Sequence, residues 1–157
     1  MRITLLCIGK TDQAYLSSGM EQYLKRLKHY IDFRLQIIPD LKNRRHLSQA
    51  QQKEQEAKLI LKNLQANDQL ILLDENGKHF TSIAFAELIE NKMITQPNNM
   101  VFLIGGPYGF DCSVRERAQW SLSLSNMTFS HQMVRLFFLE QLYRAMTIIK
   151  QEPYHHG

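Results

Sequence analysis

The sequence predicts an α/β fold with a mostly parallel sheet of about five strands flanked by helices. Two observations lead to this class. Short apolar runs alternate along the chain with segments whose apolar residues recur at helical spacing. The run at 100–104 is apolar throughout, as expected of a central parallel strand covered on both faces. Because the 157 residues contain no repeat and no linker, we expect one domain over residues 1–157.

The first elements follow from periodicity. Residues 3–9 form an apolar run that ends in glycine, and residues 12–30 place apolar side chains at helical spacing, which predicts a strand followed by a helix. Residues 33–39 alternate like a second strand. Residues 40–64 begin as a basic loop and become a long helix. The middle of this helix, residues 49–56, is so polar that we expect it not to be buried.

The middle of the chain continues the alternation. Residues 69–73 predict a strand that ends at a turn on Asn76-Gly77. An amphipathic helix is predicted over residues 82–94, and the central strand follows at 100–104.

The C-terminal part predicts a short helix, a strand and the longest helix of the chain. The short helix covers residues 111–119, with Asp111 or Ser113 as its N-cap. The strand covers residues 120–126, and the long helix covers residues 131–150.

Composition narrows the classes of function. Residues 1–62 carry twelve Lys/Arg against six Asp/Glu, and the chain has a net charge of +4, which suits a polyanionic partner without requiring one. The two cysteines, Cys7 and Cys112, form no paired framework, so we expect a reduced, cytoplasmic setting. The N-terminal apolar run is too short for a signal peptide, and no run has the length of a membrane span.

A glycine-rich loop follows the central strand, at Gly105, Gly106 and Gly109. Its spacing does not match the G-x-G-x-x-G dinucleotide motif, and Gly77-Lys78 lacks the other residues of a Walker A motif. Ligands of open α/β sheets bind beyond the carboxyl ends of the strands, where glycine lets backbone groups approach a ligand closely. A tight turn without a ligand explains the loop equally well.

Residues 121–135 form a second unusual stretch. Small polar residues alternate with apolar ones just before the last helix, a mixture that suits an adenine ring. An amphipathic edge strand followed by a capped helix is the competing interpretation.

These stretches carry a family resemblance. The segments LIGGPYGF, WSLSLSNMTFSHQMVRLFFLEQLYRAM and the closing PYHHG resemble the bacterial SPOUT-class methyltransferases that act on N3 of a pseudouridine in helix 69 of 23S rRNA. The segments ITLLCIGK and LILLDENGK fit as well, so the resemblance runs from end to end. The chain departs from the family pattern at Ser130, where proline is expected, and at His156-Gly157, where charged residues are expected.

The resemblance implies a C-terminal trefoil knot, S-adenosylmethionine as the methyl donor, and a homodimer. Sequence patterns do not predict a knot, because threaded chains are rare. The donor would be surrounded by residues from three strand ends, which are Leu73, Gly105, Gly106, Leu124, Ser125, Asn126, Met127, Thr128 and Phe129. The glycines would remove side chains where the donor lies against backbone, while the apolar residues would form its walls.

The catalytic candidates are His155, Tyr154, Arg135 and His131. The target imide must lose a proton, so a base or an anion-stabilising cation would help. His131 and Arg135 lie four residues apart and share a helix face. In the competing interpretation, His131 caps the helix and Arg135 pairs with a nearby carboxylate.

Three arginines are candidate RNA contacts. Arg44 and Arg45 lie in the basic segment KNRRH, which is either a phosphate contact or a solvated loop. Arg144 is equally explained by an ion pair with Glu140, four residues earlier. The six histidines show no ligand spacing apart from an adjacent terminal pair, so we expect no metal site.

Three functions therefore remain open for the chain. The first is a methyltransferase that modifies 23S rRNA, with the ribosome as its partner. The second is a non-catalytic RNA-binding or ribosome-associated module. The third is a small-molecule methyltransferase, which would explain neither the basic loop nor the long last helix.

Overall fold

Strands and helices alternate along the chain, and the computed structural model describes residues 1–157. It contains five strands, five α-helices and one 3₁₀ turn at Arg44–His46. The elements are β1 Arg2–Ile8, α1 Ala14–Leu27, β2 Asp32–Ile38, α2 Gln49–Lys62, β3 Gln69–His79, α3 Ser82–Thr95, β4 Met100–Ile104, α4 Cys112–Arg117, β5 Trp120–Ser123 and α5 Met133–Ile149. The predicted α/β class is confirmed.

All strand pairs in the sheet are parallel, and the strand order is β2-β1-β4-β3-β5. β4 lies in the middle, and all five of its residues are buried, which confirms the central position predicted from its apolar composition. β5 lies at one edge of the sheet. This position agrees with the interpretation of residues 121–135 as an amphipathic edge strand followed by a helix.

Each face of the sheet is covered by helices, and the strands alternate between the two cores. Ile3, Leu5 and Cys7 point to one face, where they join a core with side chains of α1, α3 and α5. Leu6 and Ile8 point to the other face, where α2 and α4 complete a smaller core. This period of two follows from the pleat of the strands.

The turn predicted at Asn76-Gly77 is wrong, because β3 continues through these residues to His79. The pairing with β5 shifts register between Leu73 and Lys78, so the strand is irregular rather than ended there. A Cβ on Gly77 would lie 2.7 Å from the backbone carbonyl of Ser121. Glycine at this position therefore allows the close approach of two strands, and sequence alone did not distinguish this use from a turn.

The expectation that residues 49–56 are too polar for burial is also wrong. Gln52 and Glu56 are buried, with 8% and 4% of their surface exposed, respectively. They lie one turn apart on the same face of α2, and Gln52 Nε2 donates to Glu56 Oε1 at 3.4 Å. The polar first half of α2 thus turns two polar side chains toward the interior.

Helix ends are determined by local hydrogen bonds. Ser48 and Gln51 form a reciprocal capping box at the start of α2. Asp111 caps α4 by accepting from the Ser113 N–H, which decides between the two predicted caps. The last helix is the longest, as predicted, with 17 residues. None of the helices combines the length and apolar character that crossing a bilayer would require.

Candidate active site

A cavity of about 450 Å³ opens where β3, β4 and β5 approach the same edge of the sheet. Its walls come from residues 73–76 of β3, residues 104–110 at and after the end of β4, and residues 122–134 between β5 and α5. Ligands of parallel α/β sheets bind at such an edge, because the carboxyl ends of the strands present free backbone groups there. We call this space the donor cavity.

Eight of the nine predicted donor-binding residues line the donor cavity. They are Leu73, Gly105, Gly106, Leu124, Ser125, Met127, Thr128 and Phe129. Asn126 is absent from the lining and is exposed. The structure therefore brings together three segments that are far apart in sequence, as expected, while the role of each residue remains a prediction.

Sequence reasoning missed the charged part of this lining. Asp74 accepts a hydrogen bond from Arg115 at 2.9 Å, and Thr128 donates to the carboxylate of Glu75. Burial opposes ionisation of Asp74, but hydrogen bonds from the Asn76 N–H and from Arg115 lower its pKa. Asp74 and Glu75 directly follow the apolar run at the start of β3, and that position was the signal available in the sequence.

The adjacent glycines Gly105 and Gly106 make room for protein groups rather than only for a ligand. A Cβ on Gly105 would lie 2.8 Å from the ring of Phe110. A Cβ on Gly106 would lie 2.5 Å from the carboxylate of Glu56. Both distances are below normal contact, so any larger residue at either position would force the Phe110 or Glu56 side chain to move.

Gly109 is different, because its backbone has a φ of +83° and a Cβ there would meet no atom within 4 Å. It lines the donor cavity at the open side of the loop. The positive φ favours glycine, and the empty space beside it leaves the backbone accessible to a ligand.

Arg135 lies at the start of α5 and is fully buried. Its guanidinium donates to the carbonyls of Ile8 and Gly9 at 2.7 and 2.8 Å and to the Thr11 hydroxyl at 3.1 Å, and its Nε donates to the His131 carbonyl. The competing interpretation, in which Arg135 pairs with a carboxylate, is wrong. The placement also does not support the expectation that Arg135 meets the substrate, because its donors are occupied by the protein.

His131 lines the donor cavity and does not cap α5. The N-cap position of α5 is Gln132, whose side chain makes no capping bond, and the Ser130 hydroxyl accepts from the Met133 N–H at 3.0 Å. The residue that replaces the expected proline therefore stabilises the helix start. Burial, and next to it the charge of Arg135, lower the pKa of His131, so the neutral imidazole is favoured.

Comparisons with known proteins agree with this geometry. A protein family described as predicted SPOUT methyltransferase matches residues 1–155. The chain belongs to the SPOUT methyltransferase family. Proteins named ribosomal RNA large subunit methyltransferase H are 56% identical in Parabacteroides distasonis and 58% identical in Flavobacterium johnsoniae, over 99% of both chains in each case.

A solved structure shares the fold at low sequence identity. The structure of a probable methylase family protein from Haemophilus influenzae aligns with a TM-score of 0.52 at 13% identity. The alignment covers 99% of this chain and 70% of the other. At this identity the likeness concerns the fold alone.

The C-terminal tail of this SPOUT methyltransferase packs against α5 and does not line the donor cavity. The Tyr154 hydroxyl donates to Glu140 at 3.1 Å, and its ring lies 4.8 Å from that of Tyr143. Arg144 bonds Glu140 at 2.6 Å and lies 3.3 Å from His155 Nδ1. The predicted ion pair of Arg144 is confirmed, and it belongs to a polar cluster with Tyr154 and His155.

The predicted RNA contacts Arg44 and Arg45 line a second cavity of about 390 Å³ beside the glycine loop. Arg44 is paired with Asp40 at 3.0 Å, whereas Arg45 makes no ion pair. The two cavities share Gly106, Pro107 and His131 as lining residues. No group of three potential metal-ligating side chains lies close enough to hold a metal ion.

The position of Gly105 gives a first prediction for this SPOUT methyltransferase. Because its Cβ would strike Phe110, Gly105→Val should lower the melting temperature and push Phe110 into the donor cavity, which weakens binding of the methyl donor. Combining it with Phe110→Leu should recover part of both properties. Thermal denaturation and calorimetric titration measure them. If stability returns but binding does not, Gly105 itself contacts the donor.

Proposed function

We propose that the protein transfers the methyl group of S-adenosylmethionine to N3 of a pseudouridine in helix 69 of 23S rRNA. The observation that carries the proposal is the donor cavity, whose lining contains eight of the nine residues expected from the family motifs. The names of relatives at 49–58% identity support large-subunit rRNA as the substrate.

The cavity fits a donor of this kind. Leu73, Leu124 and Phe129 offer apolar surface for an adenine ring, and the open side of Gly109 leaves backbone accessible for polar contacts. Asp74 and Glu75 offer oxygen acceptors for hydroxyl groups. When bound, S-adenosylmethionine supplies a methyl group on a positively charged sulfur. The residues of the chain therefore need to hold and orient the two substrates and exclude water.

The polar cluster of Tyr154 and His155 with Arg144 is proposed to remove the proton from the target base. His155 would accept or relay this proton, and Tyr154 would stack against the base. Because the tail does not line the donor cavity of its own subunit, we propose that it acts at the cavity of a partner subunit. Arg144, held by Glu140 beside the tail, would contact the RNA together with Arg44 and Arg45.

The assembly that this requires is a homodimer with a C-terminal trefoil knot in each subunit, acting in the cytoplasm. α5 buries one side in the core through Phe138, Leu142 and Met146. Its other side leaves Phe137 exposed at 42%, with its ring centroid 4.9 Å from that of Phe129 in the donor cavity. An apolar residue placed this way is suited to a subunit contact next to the site.

We expect static light scattering at micromolar concentration to give the mass of a dimer. If α5 forms the contact, Phe137→Glu should shift the mass toward that of a monomer, because a carboxylate would be buried without a partner. The matched control is Ile94→Glu, which changes an apolar residue of α3 that is 77% exposed. A monomer mass for the wild type would contradict the dimer.

The function is tested by titrating the purified protein with S-adenosylmethionine and by mapping methylated nucleotides in treated ribosomes. We expect saturable binding on the order of micromolar and one added methyl group on the rRNA. RNA binding with no donor binding at millimolar concentration would indicate a non-catalytic RNA-binding module. Donor binding without any RNA methylation would indicate a small-molecule substrate.

A further inference from the structure

The second cavity is built from polar and charged side chains and adjoins the donor cavity across the glycine loop. Gly106, Pro107 and His131 line both spaces, so a molecule in one lies next to a molecule in the other. Gln52 and Glu56 of α2 form one part of the remaining wall. The rest is lined by Ile8, Gly9, Asp12, Asp40, Arg44, Arg45, Tyr108 and Gln132. Arg44 and Arg45 of this lining are proposed RNA contacts, but the proposed methyl transfer gives Gln52 and Glu56 no role.

Glu56 is a buried side chain with an incomplete set of hydrogen bonds. It is 4% exposed, and its one hydrogen bond is the 3.4 Å contact from Gln52 to Oε1. Oε2 of Glu56 accepts no hydrogen bond from the protein. Every fully enclosed side-chain oxygen or nitrogen does have a hydrogen-bond partner, so Oε2 is not fully enclosed. Oε2 therefore reaches the open space of the second cavity, which Glu56 lines.

Burying a carboxyl group with a single long hydrogen bond costs free energy unless a ligand completes its hydrogen bonds. Burial raises the pKa of Glu56, which shows that the carboxylate is poorly stabilised by its surroundings. A carboxyl group nine-tenths buried gains from a ligand that donates an N–H to it. Gln52 next to it, also buried, presents an amide with both donor and acceptor atoms.

The rim of the second cavity suits a nucleotide. Tyr108 is 43% exposed and offers an aromatic face for stacking. Arg45 has no ion-pair partner and is available to a phosphate. An aromatic face, an unpaired arginine and a buried hydrogen-bonding pair are the groups that recognise an unstacked base of single-stranded RNA.

We propose that the second cavity binds one unpaired nucleotide of the substrate RNA that flanks the methylated nucleotide, with Glu56 and Gln52 hydrogen-bonding its base. The inference rests on the proposed function. A base with exocyclic or ring N–H donors matches the carboxylate of Glu56. The other candidate occupant is the amino-acid end of the methyl donor. The donor cavity, at about 450 Å³, already has the volume of an ordinary small-molecule site, so RNA is favoured.

The test compares Glu56→Met with Glu56→Gln in steady-state methylation of ribosomes at saturating S-adenosylmethionine. Methionine keeps the volume and removes the acceptor, so the KM for ribosomes should rise about tenfold, while glutamine keeps an acceptor and should restore much of the loss. The kcat and the calorimetric Kd for S-adenosylmethionine should stay within about twofold of wild type. The matched control is Glu54→Met, on the exposed face of the same helix.

Tyr108→Ala provides an independent variant, because this side chain is exposed and its removal does not threaten the fold. It should also raise the KM for ribosomes without changing donor binding. An unchanged KM in both Glu56→Met and Tyr108→Ala would overturn the inference. A weaker Kd for S-adenosylmethionine with an unchanged KM would assign the cavity to the donor. Wild-type protein that methylates no RNA would instead contradict the proposed function.

Discussion

Deleting residues 154–157 is expected to lower the rate of rRNA methylation by about a hundredfold or more, the scale of losing a positioning or acid–base group. A chain end that follows Pro153 would ordinarily be a dispensable tail. Here it is ordered against α5, because Tyr154 bonds Glu140 and packs on Tyr143, and His155 lies beside Arg144. Single-turnover methylation of ribosomes measures the loss.

The deletion should leave donor binding intact, because the tail does not line the donor cavity. It should also leave the proposed dimer intact. Light scattering and calorimetry check these two properties. The matched control removes only His156 and Gly157, which lie beyond the residues matched by the family, and it should keep its activity. Near-wild-type turnover after removal of all four residues would exclude Tyr154 and His155 from the active site.

Replacing Arg135 with methionine is expected to lower the free energy of unfolding by about 3 kcal/mol or more. The substitution removes a fully buried guanidinium and leaves the carbonyls of Ile8, Gly9 and His131 without their donor. For a chain of this length, the melting temperature should fall by about 6–12 °C. Urea unfolding and thermal scans measure both quantities.

Arg135→Lys serves as the comparison, because it keeps the charge but cannot reach all of these acceptors at once. It should lose an intermediate amount of stability. The matched control is Arg115→Lys at an exposed position, which should change stability little. Unchanged stability with a large fall in kcat would show that Arg135 acts on the reacting groups, as the sequence suggested, rather than tying α5 to the end of β1.

The start of α5 shows what local sequence patterns predict and what they miss. Ser130 stands where the family pattern has proline. Its hydroxyl accepts from the Met133 N–H at the start of α5, a role that serine commonly takes at helix N-termini. The sequence therefore placed the helix correctly and missed the hydrogen bond that starts it.

The two strongest sequence signals were the apolar strand 100–104 and the glycines after it. The strand composition predicted a central position correctly, because burial on both faces requires apolar residues throughout. The glycines were assigned to a ligand, whereas Gly105 and Gly106 also face Phe110 and Glu56. Glycine in a sequence indicates that space is needed but not which neighbour needs it.

The sequence by itself determined the α/β class, the order of the elements, the central strand and the family motifs around the donor cavity. These properties depend on periodicities of two and 3.6 residues and on short motifs, all readable within a few positions. Only the tertiary structure decided that Arg135 bonds Gly9, 126 residues away, that Glu56 is buried beside a second cavity, and that the tail lies along α5. Such contacts depend on the path of the whole chain through the parallel sheet, because hydrogen-bonding partners distant in sequence leave no local pattern.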